Sequence, residues 1–117
     1  MLFICYPKCT TCQRAKKWLD DHNIDYTLRH IVTDNPTIDE LMTWYKKSGL
    51  PLKKFFNTSG ILYKELGLAS KLASMSEDEM LNLLSTNGML VKRPILVTDN
   101  YVLVGFKEDE WNKKING

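Results

Sequence analysis

The stretch Leu2 to Lys17, LFICYPKCTTCQRAKK, constrains this chain more than any other. A short apolar run, Leu2 to Tyr6, has the length and character of a buried strand. Pro7 and Lys8 then turn the chain. Cys9 and Cys12, at C-x-x-C spacing, open a helical pattern that places Ala15, Trp18 and Leu19 inward. A strand that feeds a helix through a tight turn sets the first cysteine against unpaired backbone N–H groups and the positive end of the helix dipole.

Only the deprotonated sulfur is a nucleophile, and a free cysteine with a pKa of about 8.5 is mostly protonated at neutral pH. The helix N-terminus, with Lys8 and Arg14 nearby in sequence, is therefore expected to stabilise a Cys9 thiolate. Cys12 falls about one helical turn later and can attack a mixed disulfide on Cys9. The assigned roles are Cys9 as nucleophile and Cys12 as resolving thiol.

Such cysteines have two other uses, in zinc binding and as inert core residues. Zinc binding needs two further ligands, for which the candidates are Cys5, His22 and His30. Cys5 lies along the strand and no second paired motif accompanies the histidines, so no metal site is expected. A pair of dry, inert cysteines fits poorly with Thr10 and Thr11 between them and basic residues after them.

The chain of 117 residues is long enough for one domain, residues 1–117, with a core that needs no disulfide or metal staple. Its 16 Lys and Arg against 14 Asp and Glu leave a net charge of +2, and the lysine pairs are scattered rather than pooled. Direct nucleic-acid binding is therefore not expected. No apolar run approaches the roughly 20 residues of a membrane span. MLFICY is too short for a signal-peptide core and has no basic region before it, so the reading is cytoplasmic. An odd number of cysteines, 3, suits a reducing compartment in which C-x-x-C is redox-active rather than structural.

Tyr26 to Ile31 reads as a second strand, and the crossover rule makes it parallel to the first. Thr37-Ile38-Asp39-Glu40 is a capping box opening a helix with Ile38, Leu41 and Tyr45 inward and Gly49 as its stop. Pro51 to Phe56 reads as a short helix, Asn57-Thr58-Ser59-Gly60 as punctuation before Ile61 to Leu66. Ser76-Glu77-Asp78-Glu79 repeats the capping box ahead of Met80, Leu81, Leu83 and Leu84, with Gly88 as the stop. Ile95 to Thr98 and Tyr101 to Val104 form a hairpin about Asp99-Asn100, and Lys107 to Ile115 a closing helix with Trp111 inward. The order predicts an α/β fold: a mixed sheet of about four strands flanked by helices, with a helical subdomain over about 37–88 inserted before the hairpin.

Strand, C-x-x-C helix, strand and a late hairpin introduced by proline resemble the thioredoxin fold. PKCTTCQRAKKWL, LVKRPILV and VGFKEDEW together resemble the ArsC/Spx family of glutaredoxin-related proteins over essentially the whole chain. The resemblance implies that Cys9 is the nucleophile and that Cys12 matches the second cysteine of Spx-like members. It also implies that Arg93, of the Arg-Pro-Ile motif, faces the cysteines and binds an oxyanion. Pro94 then matches the cis-proline beside the active-site loop, where it has no N–H to compete for a bound thiol substrate. Lys8, Thr10, Thr11 and Pro94 are the expected substrate-binding positions. Arsenate reductases of this type use three arginines, and Asn57 and Gly105-Phe106 stand where the other two are expected, which argues against arsenate itself. The implied function is thiol-disulfide oxidoreduction of a small-molecule or protein substrate. No cofactor is bound, and an external thiol donor (glutathione with glutaredoxin, or thioredoxin) completes the cycle. The alternative is an Spx-like redox-sensing transcriptional regulator that binds the RNA polymerase α subunit.

Overall fold

A computed structural model describes residues 1–116. Strand β1 (Leu2–Cys5) leads into helix α1 (Thr10–Asp21), which returns to β2 (Thr27–His30). Helices α2 (Ile38–Ser48), α3 (Ile61–Glu65), α4 (Leu68–Lys71) and α5 (Glu77–Thr86) follow, with short 3₁₀ turns at Leu52–Phe55, Leu72–Ser74 and Gly88–Leu90. The hairpin β3 (Ile95–Val97) and β4 (Val102–Val104) precedes α6 (Glu108–Trp111), which runs on as a π-helical turn over Asn112–Asn116. The sheet order is β2-β1-β3-β4, with β1 parallel to β2 and the other two pairs antiparallel. This is the mixed, helix-flanked α/β sheet that the sequence implies.

Side chains alternate across the sheet with period two and so build two cores. Phe3, Leu96 and Leu103 are aligned across β1, β3 and β4 and face α1 and α6, where Ala15, Trp18, Leu19 and Trp111 are buried with them. Ile4 and Ile95 point to the opposite face, against Leu41, Trp44, Phe55, Leu81 and Leu84 of the helical segment. Trp111 is the pivot of the first core, edge-on to Phe3, Trp18 and Phe106, and its indole N–H donates to Gly105 O at 3.2 Å.

Both capping boxes form. Glu40 N–H donates to Thr37 Oγ1 at 3.1 Å while Glu40 Oε1 accepts from Thr37 N–H at 3.0 Å, and Ser76 with Glu79 does the same at 3.1 and 3.0 Å. Each satisfies helix-end donors that would otherwise lack partners, worth about 1 kcal/mol per cap. Gly49 ends α2 in the left-handed region at φ 70°, a conformation that favours glycine.

Three local readings change. Ile38 is 40% exposed, and the inward stripe of α2 is Leu41 and Trp44, the latter capped by the Arg29 guanidinium 5.8 Å from its ring. The hairpin strands stop one residue short of the predicted turn on each side. Thr98 Oγ1 accepts from Tyr101 N–H at 3.0 Å, taking the donor that would have continued the ladder. The closing helix leaves α geometry after Trp111.

Candidate active site

Cys9 is the residue at which the β1 turn becomes a helix. Its N–H donates to Tyr6 O at 2.9 Å, its carbonyl accepts from Gln13 N–H at 3.0 Å, and Gln13 Nε2 ties back to Pro7 O at 3.0 Å. These bonds hold the turn at both ends. The Cys9 side chain forms no capping hydrogen bond, and the half-buried residue sits at the positive end of a 12-residue helix.

Cys12 takes the inward position on the first turn and is 2% exposed; Cys5, at the end of β1, is 5% exposed. The main chain just after Cys5 reaches Cys12 directly, because Tyr6 N–H donates to Cys12 Sγ at 3.4 Å. Contact with the Cys5 thiol and burial push the Cys12 thiol well above the usual cysteine range, so it rests protonated. All three cysteines are free thiols. Among the described residues, no group of three His, Cys, Asp or Glu side chains is arranged to hold a metal ion.

A cleft of about 460 Å³ opens in front of Cys9 and Thr11. Its opposite wall comes from Asn57, Ser59, Gly60, Ile61, Leu62 and Glu65, and its floor from Asn87, Met89, Lys92 and Arg93. Two segments that lie far apart in sequence make this wall and floor adjacent. Asn57 N–H donates to Leu90 O at 2.8 Å and Lys92 N–H to Phe55 O at 2.7 Å, around an antiparallel bridge between Phe56 and Val91. Gly88 seats the floor against the sheet, where a Cβ would lie 1.8 Å from Ile31 O.

Arg93 reaches the cleft with its guanidinium fixed from two sides. Its Cζ lies 5.1 Å from the centroid of the Tyr6 ring, and Nη1 donates to Met89 O at 3.4 Å. The Arg93-Pro94 peptide is cis, and Pro94 O accepts from Gly105 N–H at 2.8 Å. Of the residues singled out in the sequence, Cys9, Thr11 and Arg93 line this cleft and Cys12 lies just behind it. Lys8, in the turn before α1, and Thr10, its first residue, are exposed and do not line it, and neither does the buried Pro94. Ser59, Glu65 and Met89 line it without a signal in the sequence, since only the pairing of residues 55–57 with 90–92 brings them there. Tyr6, half-buried and in the sequence only the end of the apolar run, supports Arg93.

The chain is similar to a group of bacterial proteins. It superposes with a TM-score of 0.94 on an ArsC-related protein of Bacteroides fragilis, at 63% identity, covering 96% of this chain and 94% of that one. A possible arsenate reductase of Streptococcus mutans matches with a TM-score of 0.86 at 45% identity, covering 95% and 96%. The global transcriptional regulator Spx of Staphylococcus epidermidis is 33% identical over 89% of this chain and 78% of its own length. The ArsC family model spans residues 5–114, from the end of β1 through the closing helix, and this chain belongs to the ArsC family.

Proposed function

We propose that this protein is a thiol-disulfide oxidoreductase that uses Cys9 and Cys12 on an organic disulfide. The observation that supports this most is the placing of one accessible sulfur, Cys9, at a helix N-terminus in the mouth of a cleft, with a second, buried sulfur behind it. In the first step the Cys9 thiolate attacks one sulfur of the substrate disulfide. A Cys9 mixed disulfide forms and the other substrate half leaves as a thiolate. Cys12 then gives up its proton to the departing sulfur and attacks Cys9 Sγ, forming the Cys9-Cys12 bridge and releasing the second half. An external thiol donor returns the two electrons. The raised Cys12 pKa makes this second step wait for a base, so the mixed disulfide is expected to persist long enough for an outside thiol to compete.

The cleft argues for the substrate class. Lys92 and Arg93 offer cationic groups on one side, but Glu65 adds an anionic wall and Ile61, Leu62 and Met89 an apolar one. A compact inorganic oxyanion is served poorly by such a lining, whereas a peptide-like disulfide carrying a carboxylate and apolar atoms is served well. Asn57 brings an amide, not a third positive charge, to this wall. The test is turnover of a glutathione or protein mixed disulfide, with glutaredoxin or thioredoxin as donor, beside arsenate. Turnover of arsenate alone would overturn the assignment.

The likeness to the regulator Spx supports a second reading, in which the same dithiol is a switch on a surface that binds the RNA polymerase α subunit. Retention of that subunit by the reduced or the oxidised protein, with no turnover of any disulfide, would select it.

A further inference from the structure

Cys5 has no part in the dithiol chemistry, and the fold gives it a specific neighbour. Phe3 and Cys5 point from β1 into the core beneath α1, and Cys12 points into the same core from the first turn of that helix. The Tyr6 N–H on Cys12 Sγ pins the helix sulfur to the end of the strand that carries Cys5. Cys5 and Cys12 are buried members of one cluster, and the half-buried Cys9 packs against it from the cleft side. Cys9 lines the cleft, and Cys12, one helical turn on, stands between it and the strand end that carries Cys5. Cys5 and Cys12 belong to a buried cluster with Phe3, Ala15, Trp18, Leu19 and Leu96 and are only 5% and 2% exposed, so an external thiol meets Cys9 first.

We propose that Cys5 is a third redox thiol, to which the disulfide formed at Cys9-Cys12 passes by internal exchange. Thiol-disulfide exchange needs a central sulfur that both the attacking and the leaving sulfur can reach, and Cys12, packed in one cluster with Cys5 and one helical turn from Cys9, is placed to be that sulfur. Cys5 Sγ, on losing its proton, attacks Cys12 Sγ of the Cys9-Cys12 bridge. The Cys5-Cys12 bond forms, the Cys9-Cys12 bond breaks, and Cys9 leaves as a thiolate that takes up the proton. No electrons are gained or lost overall, and the protein remains oxidised by one disulfide. The exchange moves the bridge from the cleft into the core and returns Cys9 to the cleft as a free nucleophile. Reduction runs the same path backwards, since an external thiol can reach only the Cys9-Cys12 form. The inference rests on the dithiol reading proposed above.

The chain itself provides the assay. Trypsin cuts after Lys8 and Arg14, so Cys5 lies in one peptide, residues 1–8, and Cys9 and Cys12 share another, residues 9–14. The whole protein is oxidised with one equivalent of glutathione disulfide, quenched in acid, alkylated in denaturant and digested. A Cys5-Cys12 bridge then links the two peptides and leaves the alkyl group on Cys9. A Cys9-Cys12 bridge stays within peptide 9–14 and leaves the alkyl group on Cys5. The expected result for the wild type is the linked pair with Cys9 alkylated, its loss in Cys5→Ala in favour of the internal bridge, and neither bridge in Cys9→Ser. An internal bridge alone in the wild type, with Cys5 alkylated throughout, overturns the third-thiol assignment and leaves the dithiol reading standing. The absence of any Cys9-Cys12 bridge from Cys5→Ala overturns the dithiol reading itself.

Discussion

The guanidinium of Arg93 lies over the ring of Tyr6, 5.1 Å from Cζ to centroid, which couples the residue before Pro94 to the strand end that delivers Cys9. A cation on an aromatic face is attracted by about 0.5–1 kcal/mol at an exposed site, more when desolvated. The stack also fixes the plane of the guanidinium, which a flexible lysine would not reproduce.

Arg93→Lys keeps the charge but loses both the fork and the stack. With one charge-assisted hydrogen bond worth about 1.5–3 kcal/mol, the KM for an anionic disulfide should rise roughly tenfold or more while kcat changes less. Tyr6→Leu should move KM in the same direction by a smaller factor. Unchanged kinetics in Arg93→Lys, with glutathionylated and arsenate substrates alike, would remove Arg93 from substrate binding.

Alkylation should follow accessibility. Cys9 is half-buried and lines the cleft, while Cys5 and Cys12 are 5% and 2% exposed and Cys12 is held protonated by its contact with Cys5 and by burial. Iodoacetamide at pH 6 should modify Cys9 well before the other two in the folded protein. Equal modification of all three, read by mass spectrometry, would sink the assignment of Cys9 as the exposed nucleophile.

Removing the resolving sulfur should trap the intermediate. Cys12→Ser, mixed with a glutathione disulfide, is expected to accumulate a Cys9-glutathione adduct that the wild type clears, visible as a mass increase that dithiothreitol reverses. Equal adduct lifetimes in the two proteins would show that Cys12 does not resolve.

Acid should weaken one ion pair in a defined window. Arg29 Nη2 donates to Glu40 Oε1 at 2.9 Å, and this pairing, with the Thr37 N–H, holds the Glu40 carboxyl down at about 2 from an ordinary 4.5. A carboxyl whose pKa is depressed by folding stabilises fully above its unfolded value and loses that contribution as pH falls from about 4.5 towards 2. Glu40 is 34% exposed, so screening limits the pair to about 1 kcal/mol. Glu40→Gln retains a side chain that can complete the capping box. Its urea midpoint should therefore lie below the wild type at pH 6 and converge with it near pH 2. A constant gap across that range would mean that the ion pair does not account for the difference.

A single methyl group at Gly88 should be destabilising for a reason unrelated to helix termination. The added carbon would lie 1.8 Å from Ile31 O and 2.6 Å from Ile31 C, both backbone atoms. Gly88→Ala is expected to lower stability by about 1–3 kcal/mol and to weaken substrate binding by shifting Met89. A denaturation midpoint equal to that of the wild type would show that the loop relaxes freely.

The features legible in the chain are those whose causes lie within a few residues of one another. The apolar run before Pro7, the Cys9-Cys12 spacing, the Thr37 and Ser76 capping boxes and the Gly49 stop are each settled by local hydrogen bonding and backbone preference. The parallel pairing of β1 with β2 follows from the helix between them, which carries the chain back to the same end of the sheet, and was legible for that reason. Only the tertiary structure decided that Phe55–Asn57 pairs with Leu90–Lys92, that Gly88 is needed for close approach to Ile31, and that Lys8 and Thr10 stay outside the cleft. It alone set Cys5 beside Cys12 as well, since a strand residue and a helix residue meet only where both elements bury the same face of the sheet. Such contacts join segments whose separation carries no periodic signal, and the free energy that selects them comes from packing and hydrogen bonds made only once the whole core has closed.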